Sequence, residues 1–214
     1  MNQAITQIEE WIRNGKKAYV TVTGVHGIME SQYDESIKLI HQVAEMCLPD
    51  GMPTVWIGKL NGHKNMGRIY GPDLMLEIMR RSVPKRYTHF FYGGKEGVPE
   101  LLRVRLTSRY PGLKIVGTLS PPFRPMNEEE GNSYCDSIND LSPDIIWVGL
   151  STPKQEKWMA EHIDKLDTKI MIGVGAAFDF HAGLLKQAPS WIQCFGLEWF
   201  FRLCIEPRSC GRDI

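Results

Sequence analysis

The chain has 214 residues, 43% of them hydrophobic, and its 25 Lys+Arg balance 25 Asp+Glu to a formal net charge of zero. That length supports one sizeable core or at most two small ones, and the zero net charge gives no global electrostatic case for nucleic acid. No run of about 18 apolar residues is present to span a bilayer as a helix, and Met1-Asn2-Gln3-Ala4 lacks the basic and apolar regions of a signal peptide.

Helical and strand patterns alternate along the chain. Ile5, Ile8, Trp11 and Ile12 sit at helical spacing, and Ala18 to Thr23 is a short β-branched run. Asp34 is placed to cap a helix running to about Met46, with Ile37, Ile40, Val43 and Ala44 on one face, and Leu48-Pro49-Asp50-Gly51 breaks it. Pro72 opens a helix to about Arg81. Then follow a strand Thr88–Tyr92, a helix Glu96–Arg109, a strand Lys114–Gly117, a helix Asn127–Asp140 and a strand Asp144–Gly149. A helix from Pro153 to near Leu166, a strand Thr168–Gly173 and a helix from Leu197 to about Ile205 complete the series. This alternation predicts an α/β, Rossmann-like fold: a mostly parallel sheet with helices on both faces, in a single domain over 1–214. The longest irregular piece, Thr118 to Met126, is expected to cross an edge of the sheet.

The five cysteines, Cys47, Cys135, Cys194, Cys204 and Cys210, are scattered, odd in number and form no Cys-x-x-Cys pair. They read as reduced, mostly core thiols of a cytosolic protein, and a metal site is not expected. The six histidines are equally dispersed.

Several short blocks carry chemistry. In Ile145 through Glu156 an apolar run stops at Gly149, a polar turn follows, and Pro153 stands at the first helical position, where its missing N–H costs nothing. Such a helix N-terminus suits an anion, and Lys154 and Gln155 add donors for a phosphate or a base. An ordinary βα turn with solvated polar residues is the plainer reading. Gly173-Val174-Gly175-Ala176-Ala177-Phe178 resembles a dinucleotide fingerprint, but Phe178 replaces the third glycine and no distal acid follows. The glycines read better as a close backbone approach, with Phe178 and Asp179 available to a base or else packed in a turn. Asp50 in its Asp-Gly turn reads as a turn former, or as a carboxylate able to reach a cleft as general base. Arg68, before the Gly71-Pro72 helix entry, suits a diphosphate or pairs with Asp73. Thr23 ends a strand at the same sheet edge. Trp191, Phe195, Trp199, Phe200 and Phe201 form a dense aromatic segment. It reads as a docked C-terminal helix, or as an interfacial one with Arg202, Arg208 and Arg212 facing lipid phosphates.

Taken together, the Asp50-Gly51 turn, Arg68 through Leu74, Val148 through Glu156 with its Pro-Lys-Gln-Glu, Gly173 through Gly183 and Gly196-Leu197-Glu198-Trp199 resemble the WecG/TagA/CpsF family, glycosyltransferase family 26. The resemblance covers essentially the whole chain. It implies an inverting transfer from a UDP-sugar, of N-acetylmannosamine type or another hexose, to a polyprenyl-diphosphate-linked saccharide in cell-surface or exopolysaccharide synthesis. Carried over by motif, Asp50 is the implied catalytic base, Thr23 a pocket residue near it, Arg68 a diphosphate partner and Gln155 a donor-site residue. No cofactor or metal is implied, and the enzyme is expected in the cytoplasm, at the inner face of the plasma membrane. Homo-oligomerisation stays open. This chain reads Thr23-Gly24-Val25-His26-Gly27 where many members carry an Asn after the threonine-bearing strand. Members usually continue past Glu206-Pro207-Arg208 into a basic, aromatic tail, so the tail expected here is short. Two other classes compete: an NAD-type oxidoreductase built on Gly173-Val174-Gly175, and a non-catalytic partner in polysaccharide assembly.

Overall fold

The computed structural model describes residues 1–124 and 126–205, without the side chains of Ser190, Arg202 and Ile205. In chain order the elements are α1 (Asn2–Arg13), β1 (Ala18–Thr23), α2 (Val25–Tyr33), α3 (Glu35–Val43), β2 (Met46–Pro49), α4 (Met52–Leu60), α5 (Gly71–Lys85), β3 (Thr88–Gly93) and α6 (Val98–Arg109). They continue with β4 (Lys114–Leu119), α7 (Glu128–Asn139), β5 (Ile145–Gly149), α8 (Lys154–His162), β6 (Ile170–Gly173), α9 (Ala177–His181), α10 (Ser190–Cys194) and α11 (Glu198–Ile205).

The strands form one parallel sheet in the order β2-β1-β6-β5-β3-β4. The continuous apolar run Ile145-Ile146-Trp147-Val148 follows from that arrangement, because a parallel sheet is covered on both faces. Ile145 and Trp147 join Val20, Phe91, Ile170 and Ile172 in one core, closed by Ile5 and Ile8 of α1, Leu74 and Ile78 of α5, Leu102 of α6 and Phe178 of α9. Ile146 and Val148 join Tyr19, Phe90, Tyr92 and Met171 in the other, closed by Ile138 of α7 and Met159 of α8, with Ile40 of α3 packed against it. Alternate side chains of each strand thus feed alternate cores.

The differences from the sequence reading have local causes. Asp34 does cap α3, accepting from Ser36 N at 2.9 Å, but that helix stops at Val43 and Met46–Pro49 pairs with β1 as an edge strand. Val43 is therefore exposed rather than part of the helix's core face. Met46-Cys47-Leu48 reads as a helix tail when its β1 partner is not visible, because strand propensity depends on what a residue packs against. The helices α2 and α4 were not marked by strong periodicity. Pro153 lies one residue before α8 rather than at its first position, and α8 ends at His162, short of Leu166. The described thiols are not core groups: Cys47, Cys194 and Cys204 are exposed and Cys135 is half-buried. Among the described residues no helix is long and apolar enough to cross a membrane.

Within the sheet, His89 is fully buried and accepts a hydrogen bond from Trp147 Nε1 at 3.0 Å. Burial pulls its pKa from 6.5 to about 3, against a smaller opposing pull from Asp144. The unfolded chain therefore takes up this proton first as pH falls. Stability from neutral His89 is complete above pH 6.5 and drains between 6.5 and about 3, at up to about 1.4 kcal/mol per pH unit. His89→Gln keeps an acceptor for Trp147 without the titration. Its urea midpoint is expected to fall less than the wild type's between about pH 6.5 and pH 4; equal slopes would show that His89 does not set the acid response.

Candidate active site

The connections decide where a ligand fits. After β1 the chain passes to α2 and α3 on the α8 face; after β6 it passes to α9 on the α5 face. Such a divergence opens a crevice at the carboxyl ends of neighbouring strands. Gly71 brings the α5 N-terminus there: a Cβ on it would lie 3.6 Å from both Val174 O and Val22 Cγ1. The N-terminus of α8 reaches the same edge from β5. Two helix N-termini thus bring positive dipole ends to this edge.

Asp50 hangs from β1. Its backbone N–H donates to Thr23 O at 2.9 Å, and Ile69 N donates to Pro49 O at 2.9 Å. Thr23 is buried, while the Asp50 side chain remains 30% exposed. Arg68 Nε stands 3.9 Å from Asp50 Oδ1. The rest of the guanidinium is engaged. Nη2 donates to both carboxylate oxygens of Glu198, at 3.0 and 2.9 Å, and Nη1 donates to Gln193 Oε1 at 3.0 Å. The group also lies 4.3 Å from the centre of the Tyr70 ring. The ion pair is thus with Glu198, far along the chain, and not with Asp73. Arg68 ties α10 and α11 to the Asp50 turn.

Gln155 is almost wholly buried. Its Oε1 accepts from Gly175 N at 3.0 Å and its Nε2 donates to Glu156 Oε1 at 2.9 Å. Thr152 Oγ1 donates to the same Glu156 oxygen at 3.1 Å, and Glu156 Oε2 is buried with no hydrogen-bond partner. Gly173 is required by this arrangement: a Cβ there would lie 2.9 Å from Met159 Cε and 3.2 Å from Gln155 Cδ. The glycine pair therefore admits a side chain of the protein itself. It does not open a dinucleotide-binding helix, since α9 is only five residues long. Phe178 is core, its ring 5.5 Å from that of Phe91 and pressed against Gly149, so it cannot stack on a base. Asp179 is half-buried in the first turn of α9, and Lys154 is exposed at the start of α8. The Arg202 side chain and Arg208, with Arg212, lie outside the described residues.

Beside Thr23 sits a polar cluster. His41 Nδ1 lies 3.4 Å from Thr23 Oγ1 and 3.2 Å from Thr21 Oγ1, and Cys47 Sγ donates to Thr23 Oγ1 at 3.5 Å. Along β2 a cavity of about 780 Å³ is lined by Cys47, Pro49, Gly62, His63, Lys64, Asn65, Met66 and Gly67. Pro49 directly precedes Asp50, so this cavity adjoins the carboxylate's turn. Another, of about 430 Å³ between α6 and β4, lies at the opposite edge of the sheet.

Comparison with known proteins places this geometry. The family model described as Glycosyl transferase WecG/TagA/CpsF family matches residues 1–213. The chain belongs to that family. It is 31% identical over 160 residues to the Bacillus subtilis (strain 168) N-acetylglucosaminyldiphosphoundecaprenol N-acetyl-beta-D-mannosaminyltransferase, an alignment covering 75% of this chain and 60% of that protein. It is 27% identical over 202 residues to the protein of the same name from Bacillus spizizenii, covering 94% and 77%. The corresponding Staphylococcus aureus (strain MRSA252) protein is 28% identical over 176 residues, covering 82% and 67%. The chain thus spans three-fifths to about three-quarters of the length of these relatives.

Within this WecG/TagA/CpsF chain, the structure brings Thr23, Asp50, Arg68 and Gln155 to one edge and removes Phe178 from it. It adds Glu156, Gln193, Glu198, His41 and Cys47, which sequence reasoning did not single out. Glu156 stands in the Pro-Lys-Gln-Glu block, where a polar residue at a helix start reads as solvated; only burial distinguishes it. Gln155→Ala should leave Gly175 N–H unpaired and Glu156 with one donor fewer, lowering stability by roughly 1–3 kcal/mol. Asp50→Asn, half-exposed, should stay within about 0.5 kcal/mol. Urea unfolding separates them, and equal stabilities would refute the structural assignment of Gln155.

Proposed function

We propose that this chain transfers a sugar of N-acetylmannosamine type, or another hexose, from a UDP-sugar to a polyprenyl-diphosphate-linked saccharide, with inversion at the anomeric carbon. The observation that carries the reading is the Asp50 carboxylate, suspended from Thr23 at the carboxyl edge and open to solvent beside a cavity, in a chain of this glycosyltransferase family. The relatives' names supply the transferred group and the acceptor class.

In this reading the acceptor hydroxyl approaches Asp50 from the cavity side. Its oxygen attacks the anomeric carbon, the bond from that carbon to the diphosphate breaks, UDP departs, and the hydroxyl proton passes to the Asp50 carboxylate. Arg68, with its Nε 3.9 Å from Asp50, is the diphosphate partner proposed from sequence, sharing its charge with Glu198. The N-terminal ends of α5 and α8 add positive potential for the departing diphosphate. Gln155 contributes through the fixed position of Gly175 rather than as an open donor. In this reading no metal or cofactor takes part in the transfer, so turnover should withstand EDTA.

A lipid-linked acceptor requires a meeting with a membrane. Trp191, Phe195, Trp199 and Phe200 are all exposed on α10, α11 and the turn between them. Aromatic side chains of this kind suit a membrane interface, and we assign this end of the molecule to peripheral contact with the bilayer.

Two measurements test the reading. UDP should raise the melting temperature because it binds the folded state alone; no shift at millimolar UDP, with a clear shift for NAD, would sink it. Asp50→Asn should lower turnover by roughly 10²–10⁴ with UDP binding retained; near-wild-type turnover would remove Asp50 as base. Peripheral contact is checked by co-sedimentation with anionic liposomes, where binding should weaken with added salt. Absence of binding at low salt would turn the aromatic surface into a protein contact.

A further inference from the structure

The cavity along β2 has a built wall whose residues the transfer step above does not use. The Asp50 turn opens α4, and at 1.5 Å per residue that helix carries the chain about 13 Å away from Asp50. The loop from Asn61 to Gly67 brings it back. Both ends of the loop are fixed. His63 N donates to Gly58 O at 3.0 Å and Met66 N to His63 O at 2.9 Å, while Ile69 N donates to Pro49 O at 2.9 Å. The Met66 thioether seats on Gly58, where a Cβ would collide with the sulfur. The loop is thus held in its own shape, and a space of about 780 Å³ lies open between it and β2.

What faces that space suits an anion. His63, Lys64 and Asn65 line it from the loop, all three exposed, and none of the described residues lining it is acidic. The edge strand adds a backbone donor. Successive residues of a parallel strand turn their backbone groups to alternate sides. Pro49 O turns outward to accept Ile69 N, so the N–H of Cys47, two residues earlier, also turns outward, into the cavity that Cys47 lines. An apolar surface adjoins the basic loop. Trp56, Ile57 and Leu60 of α4 are exposed. A Cβ on Gly196 would lie 3.1 Å from Trp56 Cη2, so this face continues into the aromatic surface of α10 and α11.

We propose that this cavity seats the head group of a polyprenyl-diphosphate saccharide. Lys64, His63 and the Cys47 N–H hold the diphosphate, the sugar reaches toward Asp50, and the isoprenoid chain leaves over Ile57 and Leu60. The assignment rests on the transferase function proposed above and adds the residues that select a lipid diphosphate. Its geometry follows from inversion, which needs the attacking oxygen and the departing diphosphate on opposite sides of the anomeric carbon. The departing diphosphate belongs to the crevice between β1 and β6, where α5 and α8 begin. The cavity lies on the other side, along the outer edge of β2. Asp50, tied to Thr23 of β1 and following Pro49 of β2, stands where the two meet. The length of α4 sets the basic loop back from the carboxylate, so a sugar and its diphosphate bridge the gap and the phosphates avoid the Asp50 charge.

The test measures binding on the full chain and needs no turnover. The probe is farnesyl-diphosphate-linked N-acetylglucosamine, titrated by calorimetry in the absence of donor, with UDP titrated separately. Lys64→Gln should weaken the farnesyl compound about tenfold, as loss of one charge-assisted hydrogen bond brings, and leave UDP affinity unchanged. Adding His63→Gln should weaken it further, and Lys64→Arg should keep the affinity. Both residues are exposed, and circular dichroism verifies each fold. Lys114→Gln, at the cavity on the opposite sheet edge, is the charge control and should change nothing. Leu60→Ser should also weaken the farnesyl compound, and unchanged affinity there overturns the path of the chain over α4. A wild type that does not bind the probe, or a folded double variant that binds it as well as wild type, overturns the proposal. Equal weakening of UDP overturns it too, because the cavity would then hold the donor. Co-sedimentation with phosphatidylglycerol vesicles separates the two sources of lipid phosphate. If the double variant loses vesicle binding but keeps its affinity for the probe, the basic loop meets bulk head groups and the proposed seat is overturned. A wild type that binds the probe but transfers no sugar would count against the function proposed above, while the variants' affinities would still decide the seat.

Discussion

The side-chain amide of Gln155 has both ends committed inside the protein, and much of the site depends on it. One end accepts from Gly175 N at 3.0 Å and the other donates to Glu156 at 2.9 Å. The two contacts cannot be exchanged by rotating the amide, because a carboxylate oxygen cannot donate and a backbone N–H cannot accept. The first turn of α8 and the exit of β6 are therefore locked together. Gly173 follows from the same lock, since any side chain would occupy the space of the amide. Of the two glycines that resemble a cofactor fingerprint, Gly173 is the clearance for one buried side chain and Gly175 takes the positive φ of 51° from which its N–H meets Gln155.

Asp50 rests on a different support. It sits beyond the edge strand β2, so one flank is open to the cavity while its backbone is fixed to the interior strand β1. The fixed backbone sets its position and the open flank leaves its carboxylate accessible. Arg68 then couples the turn to the C-terminal helices. Its guanidinium is shared between Glu198 at 2.9 Å and Asp50 at 3.9 Å, so any displacement of α11 changes the charge balance beside Asp50. The aromatic residues of α10 and α11 belong to those same helices. In the proposed function, a membrane surface and the carboxylate's environment are linked through one arginine.

Legibility from sequence tracked burial. The strands β1, β3, β5 and β6 were readable because runs such as Ile145 to Val148 are apolar and buried on both faces, while edge strand β4, less buried, was read from Lys114 to Gly117 by its place between two helices. The edge strand β2 was not: four residues with Cys47 and Pro49 on the open side carry no distinguishing pattern, and their identity comes from pairing with β1. The site divides in the same way. Thr23 was expected at a sheet edge near the Arg68 helix entry and Asp50 in a turn after a helix, with their site roles implied by the family resemblance; the structure gathers all three at one edge. Phe178, after a glycine turn, was read as available to a base or else packed, and Gln155, after a proline turn, as a donor for a phosphate or base, a role the family resemblance also implied. Whether a residue after a turn faces inward depends on the crossing of other elements, and here Phe91 and Gly175 claim them. Glu198 and Gln193 could not be paired with Arg68 by any local rule, being more than a hundred residues away.

The position of the polar residues explains why this edge remains chemically specialised. The sheet buries apolar side chains on both faces, yet Thr21, Thr23, His41, Gln155 and Glu156 all lie at its carboxyl end on the α3 and α8 side. Buried polar groups stay there only when they satisfy one another, and these do so through a chain running from Cys47 through Thr23 and His41 on one flank, and from Thr152 through Glu156 to Gly175 on the other. His41 Nε2 and Glu156 Oε2 are the atoms of the two flanks that lack a hydrogen-bond partner, and the carboxylate's charge still acts on the imidazole. The two polar flanks are therefore joined by electrostatics rather than by a direct bond. An uncharged residue in place of Glu156 would lower the proton affinity of His41 without touching the Asp50 turn itself.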